Sequence, residues 1–325
     1  MSLDVVTLGP LNVDLLITGN APTNLIDLTQ WMGPSQVNLT VAGSNGYTTL
    51  ALAKLGLKTG VVTVLADDAF GDMIFQAVRR AGVEVDHVQR QVDTLSGIGL
   101  YLLLFGSKKR PLTYRLPTHD PWPRRLSQAD RDYLLSGRHI HCGGYLHFPE
   151  MWNDDLAEIF RLAHERGIST SLDPQSLLLP YAGSWLEPIR AALRYTDLLL
   201  LDAREARCMT QMDDLPAAAM VLKECGPRLV AIKDGASGTL ICVDDRRFHQ
   251  PTIDVPEDAI VETVGAGDTF DAGMIAAYLA GWPFERCAKF AALAAASSMR
   301  GSGGVEGLAS WEELERALNQ PPLAG

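Results

Sequence analysis

Short apolar runs of strand composition alternate with stretches of helical spacing along nearly all of a 325-residue chain, and this alternation most restricts its fold. Residues 4–9, DVVTLG, read as a buried strand ending at a glycine turn, and Val13–Ile17 as another short strand. A helix is predicted over 43–55, closed by Gly56. A strand over 59–66 (TGVVTVLA) and a helix from Phe70 to Ala81, closed by Gly82, come next. Further strands are expected at 139–144 (HIHCGG), 171–173 (SLD), 197–202 (DLLLLD) and 228–235 (RLVAIKDG), with a helix over 153–166. Such alternation predicts a mostly parallel sheet covered by helices on both faces.

One segment breaks the rhythm. GIGLYLLLF (97–105), GSKKRP (106–111) and LTYRL (112–116) read as a β-hairpin with a basic turn. With strand pieces near 13–17 and 36–41 it would form a small separate sheet, a lid on one edge. Lys108, Lys109 and Arg110 suit a solvated hairpin tip, and the tail after Asn319 should fray.

The most informative run for chemistry is VETVGAGDTF (261–270). Gly265, Ala266 and Gly267 stand directly before Asp268, and Phe270, Met274, Ala277 and Tyr278 then recur at helical spacing. Small residues ahead of a helix leave its first N–H groups uncovered, and the helix dipole adds to their attraction for an anion. Asp is also a common helix N-cap, so the turn alone has a purely structural reading. A carboxylate beside an anion site otherwise suits general-base catalysis next to a phosphate.

Net charge of −11 and a pI near 5.1 argue against a nucleic-acid surface or an anionic membrane patch. No apolar stretch is long enough to span a bilayer, and Asp4 stands where a secretory leader would be basic. Cys142, Cys208, Cys225, Cys242 and Cys287 form neither CxxC nor a Cys/His spacing, and fit reduced thiols of a cytoplasmic protein. His139, His141 and His147 have no second ligand cluster and read as core or strand-edge residues. The ADDAFGD run (66–72) places Asp67 or Asp68 as the cap of the following helix. There is no GxxxxGK[ST], so a P-loop is excluded.

VETVGAGDTF resembles the C-terminal signature of the ribokinase-like (PfkB) carbohydrate kinases, DTxGAGDxF, with Glu262 replacing the first acid. AGSNGYTTLALAKLG (42–56) resembles the N-terminal signature GGxxxNxAxxLxxLG. There Gly43 matches the second glycine, Ala42 replaces the first, and Tyr47 stands where Asn is usual, with Asn45 two residues earlier. The resemblance runs from Asp4 to about residue 308. It implies one domain over 1–325, with a Rossmann-like α/β/α core of three layers and a small β lid drawn from about 12–18, 34–41 and 97–117. It further implies ATP-dependent phosphorylation of a hydroxymethyl group of a sugar or sugar derivative, with ATP and Mg²⁺, a K⁺ site near GSGGVEG (301–307), and a homodimer formed through the lid.

Site roles follow by motif match. Asp268 is the general base, and the N–H groups of Ala266, Gly267 and Asp268 form the anion hole, with glycine at Gly265 and Gly267 permitting close backbone approach. Asp14, in GPLNVD, binds substrate hydroxyls with Asn12, Gly43, Asn45, Tyr47, Asp173 (of DPQ) and Arg115 around it, the last facing an acidic substrate group. Tyr47 suits either a ring stacked on substrate or an inward-packed helix aromatic. Glu205, in DAREA, orients water on Mg²⁺, with Asp202 in place of the usual Asn. Lys233, Gly235, Ser237 and Gly238, in KDGASG, with Thr263, meet the nucleotide, and the adenine lies between the loop near 255–260 and a helix at 287–299. A nucleoside kinase shares every catalytic feature and differs in the acceptor pocket. A non-catalytic sugar or nucleotide sensor is the reading of another class, and the intact GAGD run argues against it.

Overall fold

The computed structural model describes residues 2–19, 24–30, 35–102, 112–115, 125–147, 149, 152, 154–177 and 183–320. The basic tip Lys108–Arg110 and residues 321–325 lie outside them. The strands are β1 (Val5–Leu8), β2 (Asn12–Gly19), β3 (Ser35–Ala42), β4 (Thr59–Ala66), β5 (Val88–Gln91), β6 (Ile98–Leu102) and β7 (Leu112–Arg115). They continue with β8 (His139–Gly143), β9 (Ser169–Asp173), β10 (Leu198–Asp202), β11 (Leu229–Lys233), β12 (Thr239–Val243) and β13 (Arg246–Gln250). The helices are α1 (Leu25–Gln30), α2 (Ser44–Lys54), α3 (Ala69–Arg80), α4 (Gln128–Leu134), α5 (Asp155–Glu165) and α6 (Arg190–Leu193). After them come α7 (Ala203–Thr210), α8 (Leu215–Glu224), α9 (Ala266–Leu279), α10 (Phe284–Ser298) and α11 (Trp311–Leu318).

The main sheet has the order β13-β12-β11-β10-β9-β8-β1-β4-β5. It is parallel from β5 to β11, and β12 and β13 add antiparallel at one edge. Successive residues of the inner strands feed opposite cores. Val6, Leu8, Leu199, Leu201, Val230 and Ile232 pack on the side of α5 and α8, whereas Val5, Leu198, Leu200, Leu229 and Ala231 pack on the side of α2, α9 and α10. Burial on both faces is why these strands read as unbroken apolar runs rather than alternating ones. α9 is buried along Thr269–Ala277, so it shows no polar face.

A second sheet has the order β3-β2-β6-β7. Its registers place Asp14 opposite Thr40 on one side and Gly99 on the other, and Gly99 opposite Arg115. One face therefore carries Asp14, Thr40 and Gly99 in a single rung, with the backbone of Arg115 next in register. The opposite face carries Leu15, Ile17, Val37, Leu39 and Leu100, of which Val37 and Leu39 are 58% and 44% exposed. At its base Val13 and Val41 pack with Ile74 and Val78 of α3.

Three strands were not anticipated. β5 (VQRQ) and β13 (RRFHQ) are polar and largely exposed, as edge strands tend to be, and so lack an apolar signature. β12 starts directly after the 233–238 loop, in a stretch given no assignment from the sequence. Among the described residues no helix is long and apolar enough to cross a membrane. All five cysteines are free.

Asp68 is the cap of α3: its carboxylate accepts from Gly71 N (2.7 Å), Ser96 N (2.9 Å) and Ser96 Oγ (2.7 Å). Burial opposes its charge, but these bonds hold the carboxyl below its ordinary value. Asp68→Ala is expected to cost about 1–2 kcal/mol at neutral pH, read as a lower urea midpoint with an unchanged slope. Because the folded value is depressed, this stabilisation is present above the ordinary carboxyl range and fades as pH falls through the folded value.

Candidate active site

α9 begins at a glycine for a conformational reason. Gly265 has φ of 75°, the left-handed region, and a Cβ there would stand 3.1 Å from Tyr47 Cγ. The first bond of the helical ladder runs from Thr269 N to Gly265 O. Ala266 N turns back to Thr263 O at 3.3 Å. The amides directed forward at this helix end are therefore those of Gly267 and Asp268, not all three that the motif suggested.

Asp268 follows, its backbone carbonyl held by Thr48 Oγ1 at 3.2 Å and its buried Oδ1 lacking a hydrogen-bond partner. Asp173, at the end of β9, and Asp271, one turn along α9, bring carboxylate oxygens that all lie within 4.8 Å of one another and of Asp268. Into this group comes Lys233 from the end of β11. Its Nζ donates to both oxygens of Asp271 at 2.8 Å and lies 3.7 Å from Asp173 Oδ2. Asp173 Oδ2 also accepts from Ser44 Oγ at 3.2 Å, and its Oδ1 from Gln175 N at 3.1 Å.

The electrostatics follow from burial and crowding. Burial, then the Asp173 charge, push the Asp268 carboxyl up to about 7, against the pull of Lys233 and a hydrogen bond from Ser44. Burial also raises Asp271, which shares a hydrogen bond with Asp173. Burial opposes the charge of Asp173, but Lys233, Asp271 and Gln175 hold it below its ordinary value. Burial likewise opposes the charge of Lys233, but Asp271 and Asp173 keep it firmly protonated. Sequence reasoning placed Lys233 against a nucleotide; its ammonium is instead committed to Asp271 and Asp173.

On the β2 side, Asn12 Nδ2 donates to Asp14 Oδ1 at 3.0 Å and Tyr47 Oη to Asp14 Oδ2 at 2.7 Å. Tyr47 is buried, its ring against Gly265 and Gly304. Gly43 has φ of 85°, and a Cβ would meet Asn12 Oδ1 at 2.4 Å. Ala42 ends β3 in register with Asn12, in extended backbone that needs no glycine. Asn45 is fully buried and donates to Gly9 O at 3.1 Å.

The 301–307 loop closes over Tyr47. Glu262 Oε1 accepts from Gly303 N (2.6 Å) and Gly304 N (3.3 Å), and Asn38 Nδ2 of β3 reaches Ser302 Oγ at 2.6 Å. Lys54 Nζ donates to the carbonyls of Val305 (2.9 Å) and Glu306 (2.7 Å). An ammonium of the chain thus sits on loop carbonyls where the sequence suggested a monovalent cation.

Toward β11 and β12, the 235–238 turn is closed by Asp234 N to Gly238 O at 2.8 Å, and open space lies above Gly235. Ser237 O meets His249 Nε2 at 2.6 Å. Val255 and Ile260 pack with Ala296 of α10, an apolar wall where an adenine was expected. Glu205 opens α7 in a capping box with Asp202, and its Oε1 meets Ser176 Oγ at 3.4 Å. Burial, then Asp173 and Asp202, raise its carboxyl.

The structure thus gathers Asp268, Asp173 and the Gly265–Gly267 turn, and beside them Asp14, Asn12, Gly43 and Tyr47. Arg115 shares the rung of Asp14 by register. Three participants were missed: Asp271, Ser44 and Gln175. Asp271 had a signal, an acid three residues after Asp268 in an otherwise apolar helix. His139 and His141 lie inside the sheet with Ser169 and Ser171, and burial drives their values down to about 3 and about 4, so both are neutral.

With this geometry in view, a profile described as pfkB family carbohydrate kinase matches residues 12–311. An uncharacterized sugar kinase of Archaeoglobus fulgidus is 28% identical over 262 residues, covering 80% of this chain and 98% of that protein. The structure of Arabidopsis thaliana ribokinase complexed with ribose and ATP superposes with a TM-score of 0.80 at 20% identity, over 99% of this chain and 100% of that one. A putative ribokinase II from E. coli, in complex with ATP and Mg²⁺, gives 0.77 at 19%, over 97% and 98%. At such identities the structures show the shared fold.

Gly304 has φ of 71°, and a Cβ there would lie 2.5 Å from Tyr47 Cε1. Gly304→Ala is expected to cost about 1–3 kcal/mol, and less in a Tyr47→Ala background, read as urea midpoints. Equal costs in the two backgrounds would show that the ring is not what excludes a side chain there.

Proposed function

Because the chain belongs to the pfkB family of carbohydrate kinases, we propose that it transfers the γ-phosphoryl group of ATP to a hydroxymethyl group of a sugar or sugar derivative, with Asp268 as the general base. One observation carries the assignment of the base: a half-buried carboxylate with a buried, unpartnered oxygen, raised to about 7, in the first turn of α9. The acceptor oxygen gives its proton to Asp268 and forms a bond to the γ-phosphorus as the bond to the β–γ bridging oxygen breaks, and ADP leaves. The amides of Gly267 and Asp268, supported by the helix dipole, stabilise charge on the transferred oxygens.

The acceptor lies against Asp14, with Asn12 and Tyr47 fixing the orientation of its carboxylate. Asn45 supports that wall from behind through Gly9. Arg115, on the Asp14 rung, is the residue we assign to an anionic or strongly polar part of the acceptor. The nucleotide runs along Gly235, Ser237 and Gly238 past Thr263, with its base on the wall of Val255, Ile260 and Ala296. Mg²⁺, when bound, would neutralise the nucleotide phosphates. The donor set fits it: Glu205 is a buried carboxylate that faces Asp173, suited to holding a metal-bound water. Free thiols and the use of ATP fit a cytoplasmic setting.

The small sheet is the lid. Its inner face carries Asp14 and touches the 301–307 loop through Asn38, while Leu15, Ile17, Val37, Leu39 and Leu100 line the outer face. A second copy of this chain is the proposed cover of that face, since contiguous exposed apolar surface marks an interface.

Asp268→Asn is expected to lower turnover about 10²–10⁴-fold in a panel of sugars and sugar acids assayed for ADP release, with the fold unchanged. The base works ionised, so kcat/KM of the wild type should rise with pH through about 7 and level off above it. Near-normal turnover of Asp268→Asn would reject this base. Separately, Val37→Lys with Leu39→Lys should convert a sedimenting dimer to monomer, and a wild type that sediments as a monomer would reject the lid contact.

A further inference from the structure

Asp271 and Lys233 are more than the cluster needs for adhesion. Leu229 and Ala231 of β11 and Met274 and Ile275 of α9, all fully buried, already belong to one apolar cluster. A buried ion pair adds little to such a contact, because desolvation offsets its attraction. The pair sits instead at the end of β11, where three carboxylates crowd within 4.8 Å. Lys233 is only 14% exposed, is held through both oxygens of Asp271, and has its Nζ 3.8 Å from where a Cβ on Gly267 would stand. Its ammonium is therefore fixed behind the turn that presents Asp268.

We propose that Lys233 is a positioning residue for the base: Asp271 locks its ammonium beside the three-carboxylate cluster, and that fixed charge keeps Asp268 able to release and take up a proton during turnover. Other groups face Asp268 from each packed element. Asp173 of β9 and Asp14 of β2 are like charges, and Ser44 and Tyr47 of α2 supply hydroxyls. Against two neighbouring acids, Lys233 is the cation that acts on Asp268 in this set. Asp271, which shares a hydrogen bond with Asp173, contributes by holding Lys233 rather than by repelling Asp268. Without the lysine, Asp268 would hold its proton at neutral pH and could not accept one from a hydroxyl.

This inference rests on Asp268 being the base, and its test avoids turnover so that the two can fail separately. The full-length protein, labelled with ¹³C at the aspartate carboxyls, is titrated by NMR, with the Asp268 resonance identified by its loss in Asp268→Asn. The wild-type midpoint is expected near 7. Lys233→Met should raise it by about one unit or more, and Lys233→Arg should leave it within about half a unit. Asp271→Leu, which frees the lysine, should raise it too, whereas Asp271→Asn, whose single amide oxygen still accepts from the lysine, should not. Thermal unfolding confirms that each variant is folded. Where Lys233→Met is not, Lys233→Gln removes the charge while keeping a donor to Asp271. An unmoved midpoint in the lysine variants overturns the proposal. A lower midpoint in Asp271→Leu overturns the role of Asp271, showing that it acts as a like charge. Inactivity of every protein toward sugars, with the titration shifts intact, would reject the kinase reading alone.

Discussion

Negative charge is confined where β9, β11, α2 and α9 meet, and the rest of the site is organised around making that tolerable. Three carboxylates within 4.8 Å, Asp173 and Asp271 buried and Asp268 half-buried, would not all ionise in such surroundings. Lys233 supplies one positive charge, Asp271 and Asp173 share a hydrogen bond, and Ser44 and Gln175 donate to Asp173. What remains is a single carboxyl, Asp268, raised to about 7, with its Oδ1 buried and unpartnered. A phosphoryl-transfer base needs that balance: basic enough to take a hydroxyl proton, yet ionised at neutral pH.

The acceptor side solves a different problem, one of shape. The family pattern places a glycine and an asparagine where this chain has Ala42 and Tyr47. Ala42 is harmless because its backbone is extended. Tyr47 is not a simple replacement, since its ring occupies volume that Gly265 and Gly304 must leave free, and both positions carry positive φ. Its hydroxyl then reaches Asp14. One side chain so links Asp14, the turn that opens α9 and the 301–307 loop. Glu262 tightens the same loop by accepting two of its amides.

How much of this was legible in the chain depends on whether a residue's partner was near in sequence. TGVVTVLA reads as a strand over 59–66 because every residue is buried, and β4 has those bounds. The GAGD turn is legible because its glycines and acid are adjacent. β5 and β13 were silent, since an edge strand's polar residues look like loop. Asp271 resembles a solvated helical acid until Lys233, 38 residues earlier, is brought to it by the parallel sheet. The link from Glu262 to Gly303 spans 41 residues and carries no local pattern. Lys233 was legible as a functional cation but not as one already engaged.

The two halves of the site are held with different rigidity, and this bears on where acceptor choice resides. Asp173, Lys233, Asp268 and Asp271 project from strand ends of the central sheet and from α9, which is buried along most of its length. Such positions move little without disturbing the core. The acceptor wall projects from the small sheet, which is anchored at its base by α3 and reaches the loop opposite through Asn38 and Ser302. Its inner rung alternates an acid, a glycine and an arginine at Asp14, Gly99 and Arg115. A Cβ at Gly99 would stand 2.1 Å from Asp14 Oδ1, so the rung tolerates no bulk at its centre. The carboxylate cluster is thereby held by a packed scaffold, whereas Asp14, whose charge also raises Asp268, stands on a thin sheet, so a change at that rung is felt in the cluster as well.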